Sequence, residues 1–250
     1  MGTGTLSQPV EPGLTVGLVA ALPAEVICLT HGPVELNVPF RINPHLVVMV
    51  CGIGASNAGK AAEYLLFQNV RGLISWGTAG ALAEELTSGD LLLPEVVQAS
   101  TGKTYSADRN WIKELKQVLE PSAIRIHTDM LAETKSILKS RAEKAALRSK
   151  TGAIATDMET AAIMKTAHAN NIPCIAIRAV VDQAGDSLPD EILKHTDIYG
   201  TPDLMHILME IICKPRLLKP LFRLHQGMQA ANNTLRSVGS HTNETLMYAH

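Results

Sequence analysis

Short, nearly unbroken apolar runs alternate with segments of helical spacing along most of the chain. Thr15–Ala21, Leu46–Cys51, Val70–Trp76 and Cys174–Val181 contain few polar side chains, as strands covered on both faces should. Each leads into a turn. Pro23 opens a helix after the first run, and Gly52-Ile-Gly54 precedes a helix through about Gln68. Gly152–Thr156 reads as a short buried strand, Asp157 as an N-cap, and Met158–Asn170 as the helix behind it. Between these lie an expected strand at Leu91–Val97 and a polar exposed connection at Thr101–Asn110. A helix over Trp111–Leu119, a strand at Ile124–Thr128 and a charged amphipathic helix over Thr134–Lys150 follow. Beyond Asp182 come a polar loop over Gln183–Asp190 and helices at Glu191–His195, Pro202–Cys213 and Arg216–Leu235. The last carries an apolar stripe of Leu217, Leu218, Leu221 and Leu224. The alternation predicts an α/β fold in one domain over residues 14–237, with flexible tails at 1–13 and 238–250.

Composition narrows the class. A chain of 250 residues that is 46% hydrophobic builds one large core. A net charge of −2 and only 4% aromatic residues give neither the basic footprint nor the stacking platform of a nucleic-acid binder. Cys28, Cys51, Cys174 and Cys213 have no metal-binding spacing and read as reduced core thiols, so no metal or cofactor is expected. No secretory signal pattern and no apolar run of the roughly 20 residues of a membrane span occur, so a cytoplasmic protein without membrane insertion is expected.

In open α/β sheets ligands bind beyond the carboxyl ends of the strands. Two carboxylates fall there: Glu159, in the first turn of its helix where the dipole favours an anion, and Asp182, at the end of the last apolar run. Caps and first-turn acids would account for both. Arg178 argues for more, because a charge inside an apolar strand needs a partner or a ligand. Glu25 lies at the turn after the first strand, and Gly77-Thr-Ala-Gly-Ala81 follows another. Its two glycines let the backbone approach a ligand closely. His127 reads as a surface histidine at a strand end, with catalysis the lesser alternative.

Asp157-Met-Glu-Thr-Ala-Ala162 followed by Ile177-Arg-Ala-Val-Val-Asp182 resembles the nucleoside phosphorylase/nucleosidase superfamily, most familiarly its methylthioadenosine/S-adenosylhomocysteine nucleosidases. Gly52-Ile-Gly54, Ala20-Ala-Leu-Pro-Ala-Glu-Val26 and Gly77-Thr-Ala-Gly-Ala81 are similar to that family's segments. The resemblance implies a central mixed β-sheet flanked by helices, and it implies roles. Met158 would pack on the ribose and Glu159 would hold its hydroxyls. Asp182 would protonate the departing purine, and Glu25 would orient the attacking water. Thr78, Ala79 and Gly80 would line the sugar site. Arg178, as a charge within an apolar strand, is counted with the substrate-binding residues on its own account. The family's Ser-Gly-Asp segment near His127–Glu133 has no counterpart, which leaves the base pocket unassigned.

Over residues 14–230 the chain is most similar to the hopanoid-biosynthesis-associated phosphorylases, through motifs such as Trp76-Gly-Thr-Ala-Gly-Ala-Leu82 and Glu143-Lys-Ala-Ala-Leu147. That branch implies removal of adenine from adenosylhopane, a nucleoside with a lipid-like 5′ group. Leu22 and the C-terminal Leu stripe would then give the group an apolar exit. Classical phosphorylases carry arginines around phosphate. Here the early loop has none and the later position is Ser75, so the residues favour water, with phosphate the alternative co-substrate. A homodimer or higher homo-oligomer is the expected assembly. A non-catalytic purine-binding protein is the competing reading from another class, and the joint presence of Glu25, Glu159 and Asp182 argues against it.

Overall fold

The computed structural model describes residues 15–30, 32–187 and 218–242. Its frame is β4 (Gly72–Ala81), a ten-residue strand flanked along its first half by two parallel neighbours, β1 (Val16–Ala20) and β11 (Cys174–Asp182). All five residues of β1 and eight of nine in β11 are buried, which is why both sequences are apolar on each face. Outward from β1 come parallel β3 (Leu46–Val50) and antiparallel β2 (Phe40–Asn43).

β11 stays beside β4 as far as Gly80, while beyond the end of β1 the strand gains a new neighbour, pairing antiparallel with β10 (Ala155–Asp157) through Gly80 and Ala81. From β10 the sheet continues through β9 (Leu131–Glu133), β6 (Val96–Gln98) and β7 (Thr104–Ser106). A branch runs from β11 to β5 (Leu91–Leu92) and β8 (Ile126–His127). The fold is a single-domain α/β structure with a central mixed sheet flanked by helices.

Helices α1 (Pro23–Val26), α2 (Ala55–Phe67), α3 (Arg109–Leu119), α4 (Arg141–Thr151), α5 (Thr160–Ala169) and α6 (Leu218–His241) complete it. Small residues let α2 and α5 pack together, with Ala58, Ala61 and Ala62 buried on one and Ala161 and Ala167 on the other. Helix α6 lies against β11. A Cβ on Gly227 would fall 2.0 Å from the Val181 carbonyl oxygen, so only glycine admits that approach.

Several expected elements differ. Leu91–Val97 is two strands, because Pro94 cannot continue the ladder and the chain changes neighbours there. The polar connection at Thr101–Asn110 contains β7, held by the buried Tyr105. Gly77–Ala81 is not a turn but the far half of β4. The expected Thr134–Lys150 helix begins only at Arg141. Ser140 Oγ accepts from Glu143 N at 3.2 Å and Glu143 accepts from Ser140 N at 3.0 Å, a capping box that fixes the start. Helix α5 begins at Thr160 rather than Met158, with Glu159 at its N-cap position.

Pro220 lies inside the first turn of α6, where its missing N–H costs nothing. The helix runs on through His241 with Val238 buried, past the expected tail boundary. Its buried residues are Gly227, Ala231, Thr234, Leu235, Val238 and Gly239. Leu221 and Leu224 are half-buried, and Leu217 and the Leu218 side chain lie outside the described residues. So do the tail at 1–13, the helices at Glu191–His195 and Pro202–Cys213, and Cys213. Cys28, Cys51 and Cys174 are unpaired thiols. No helix among the described residues is long and apolar enough to cross a membrane.

Candidate active site

Glu25 sits where α1 turns back over the carboxyl end of β1. Four donors converge on its carboxylate. Thr78 N and Thr78 Oγ1 each donate to Oε1 at 2.9 Å, and Ala21 N and Leu22 N donate to Oε2 at 3.2 and 3.0 Å. Gly77 makes room for it. With φ at +148°, a Cβ there would stand 2.5 Å from Glu25 Oε1 and 2.7 Å from Arg178 Nη1. The closeness that the glycine was expected to offer a ligand is used by a protein carboxylate. Gly77→Ala should lower stability by about 1–3 kcal/mol through strained backbone and overpacking. Thermal denaturation checks this: an unchanged midpoint would mean that the strand yields to the methyl group.

Arg178 pairs in register with Gly77 and is 1% exposed. Its Nη2 lies 2.9 Å from Asp157 Oδ2 and 4.0 Å from Glu159 Oε2, and donates to Ser75 Oγ at 2.7 Å. Nε donates to Thr160 Oγ1 at 3.1 Å. The partner that an arginine in an apolar strand demands is thus Asp157, which also accepts from Thr160 N and Oγ1. Arg178, expected as a substrate contact, does not line the cavity. It lies behind it and supports Asp157 and Glu159.

Glu159 is only 6% exposed and faces the cavity. Gly54 N donates to Oε1 at 2.7 Å and Met158 N to Oε2 at 3.3 Å. The Gly52-Ile-Gly54 turn therefore holds a glutamate. Burial pushes the Glu159 carboxyl up to about 7, with Arg178 opposing and Asp157 reinforcing the rise.

A β-bulge aims Asp182. Along β11 the register runs Ala179↔Thr78 and Val180↔Ala79, then skips Val181 so that Asp182 faces Gly80. A Cβ on Gly80 would sit 2.9 Å from Asp182 Oδ1, so the second glycine also accommodates a carboxylate. Lys144 Nζ donates to Asp182 Oδ2, and to Gln183 O at 2.6 Å. Burial raises the Asp182 carboxyl above its ordinary value while Lys144 pulls it back.

These groups border one cavity of about 210 Å³, lined also by Thr78, Ala79, Gly80 and Met158. Leu22, Ile53, Ile137, Leu138 and Met228 give it apolar walls. Lys144, Thr134, Ile137 and Leu138 were hidden inside the overlong expected helix; the Ser140–Glu143 capping box is the signal that would have freed residues 134–140 as a lining loop. His127 is not in the cavity. Its Nε2 lies 3.2 Å from Asp90 Oδ2 at the end of β8. Among the described residues no group of three or more His, Cys, Asp or Glu side chains could hold a metal ion.

Known proteins share this frame. A 5′-methylthioadenosine/S-adenosylhomocysteine nucleosidase of Staphylococcus epidermidis is 26% identical over 197 residues, covering 68% of this chain and 86% of that protein. One from Buchnera aphidicola is 25% identical over 221 residues, covering 74% and 84%. The solved nucleosidase of Neisseria meningitidis, in complex with methylthio-immucillin-A, has a TM-score of 0.70 at 18% identity and covers 92% of this chain and 98% of its own. Futalosine hydrolase of Helicobacter pylori gives 0.65 at 16%, covering 90% and 97%. Residues 40–201, from β2 through the Met158–Glu159 junction to β11 and beyond, match the phosphorylase superfamily, and the chain belongs to it.

Proposed function

We propose that the protein is a purine nucleosidase that hydrolyses the N-glycosidic bond of an adenine nucleoside and releases adenine. One observation carries this reading: Glu25, Glu159 and Asp182, from three separate elements, border a single cavity beyond the strand ends. Breaking that bond builds positive charge on the sugar and negative charge on the purine. A carboxylate at Glu159 grips the ribose hydroxyls more strongly as the sugar becomes cationic, and Met158 packs beside it. Asp182 gives a proton to the purine ring as the C1′–N9 electron pair leaves with the base. Glu25, with Thr78, orients the water that attacks C1′ and takes its proton.

Charge favours water over phosphate. Among the described residues lining the cavity, Lys144 is the single cation and is already bonded to Asp182 and Gln183 O, while the Glu25 carboxylate stands where the nucleophile would enter. A phosphate dianion would meet repulsion. The apolar walls support a nucleoside with an apolar 5′ substituent. We extend the reading to a methylthio group or a lipid-like one as in adenosylhopane, and with the latter to hopanoid biosynthesis. Incubation with methylthioadenosine and with adenosylhopane, each with and without phosphate, should yield adenine and free sugar at a rate indifferent to phosphate. Binding of adenine without cleavage of either compound would overturn the reading in favour of a purine-binding protein.

The pH profile adds a sign. Protonated Glu159 loses its charge-assisted grip, so kcat/KM should rise with pH through about 7. Asp182 must be protonated, so kcat/KM should also fall as pH rises through the raised Asp182 titration. Glu159→Gln should lose about 100-fold or more in turnover and lack the limb near neutrality. An unchanged profile in that variant would remove Glu159 from the mechanism.

A further inference from the structure

We propose that Lys144 is the positioning residue of the leaving-group acid, supplying the counter-charge that Asp182 requires once its proton has passed to the purine. This rests on the hydrolytic reading above. Helix α4 is otherwise a surface helix: Arg141, Ala142, Glu143, Ala145 and Ala146 are exposed, and its one buried side chain is a lysine at 2% exposure. A lysine is buried only with partners, and these are Asp182 Oδ2 and Gln183 O. Lys144 and Asp182 are both lining residues of the cavity.

The value of the contact changes during the reaction. Before proton transfer the ammonium faces a neutral acid and gains little. Afterwards it faces a carboxylate that burial would otherwise leave poorly solvated. The interaction is therefore stronger late in the step than before it, which is the condition for lowering the barrier. Burial alone raises the Asp182 carboxyl and makes it a reluctant donor, and Lys144 pulls it part of the way back. The other charges round Asp182 are offset or peripheral. Asp186 in the following turn pairs with Arg223 of α6 at 3.5 Å, and Lys219 of α6 borders the neighbouring recess. A purely structural lysine would instead tie α4 to the end of β11 and leave the chemistry alone.

Lys144→Gln keeps hydrogen-bond donors and removes the charge. Lys144→Met removes both in a side chain of similar length, and Lys144→Arg keeps the charge. The Asp182 carboxyl can be followed by carbon NMR in protein labelled at aspartate, with Asp182→Asn assigning the signal. Its titration should move up by about one pH unit or more in the two neutral variants, as expected for loss of a close opposite charge, and stay near wild type in Lys144→Arg. Adenine release should fall by about 100-fold or more in the neutral variants. Hydrolysis of a nitrophenyl riboside, whose leaving group needs no proton, should fall far less, and the alkaline limb should shift upward. An unmoved Asp182 titration, or equal losses with both substrates, would overturn the proposal. If the wild-type protein cleaves neither substrate, the hydrolytic reading fails, while the NMR titration still decides whether Lys144 governs Asp182.

Discussion

Asp182→Asn lowers adenine release by roughly 100- to 10,000-fold, the usual contribution of a general acid. Asparagine keeps the shape that the Val181 bulge and Gly80 accommodate, but it has no acidic proton to give. Lys144 retains its bond to Gln183 O, so the fold should survive; a melting curve establishes that. The decisive comparison is between leaving groups. Adenine departs with an electron pair that needs a proton, whereas nitrophenolate is stable as an anion. With a nitrophenyl riboside the variant should therefore stay much closer to wild type. Equal damage to the two substrates would mean that Asp182 holds the end of β11 in place and takes no part in proton transfer.

The residues of this site differ in how plainly the sequence announced them. Cys174–Asp182 was legible because a fully covered strand leaves an unbroken apolar run, and Arg178 stood out within it as a charge needing a partner. That partner was not legible. Asp157 satisfies Arg178 from a different strand, and only the pairing of β4 with both β10 and β11 brings them together. The glycines at 77 and 80 misled locally. Glycine weakens a strand, so Gly77–Ala81 read as a turn, yet both lie within β4 because the carboxylates of Glu25 and Asp182 occupy the space of a Cβ. Lys144 was invisible for a different reason. On a helix of exposed charges, one more lysine is indistinguishable until the fold shows which face meets the cavity. Tyr105 was missed likewise, a single buried side chain holding a strand whose neighbours are polar.

Glu25→Gln abolishes hydrolysis, with a loss of about 100-fold or more, and separates water from phosphate as the nucleophile. The carboxylate accepts from two donors at each oxygen, Thr78 N and Oγ1 on one side and Ala21 N and Leu22 N on the other. A glutamine amide must turn its NH2 toward one of these pairs, so at least one backbone N–H loses its acceptor, at a cost of about 1–3 kcal/mol. Melting curves and adenine binding must accordingly be measured beside the rate. If water attacks C1′, the variant folds and binds the base but has nothing to take the proton, and added phosphate restores nothing. If phosphate attacks, the same change removes an anion from its path. The phosphate-dependent rate would then hold or rise, and ribose 1-phosphate rather than free sugar would accumulate. The prediction is free sugar from the wild-type protein, no response to phosphate in either form, and loss of turnover in Glu25→Gln with adenine binding nearly intact. A sugar 1-phosphate product, or a faster variant in phosphate, would assign the enzyme to phosphorolysis and return Glu25 to a structural role beneath Thr78.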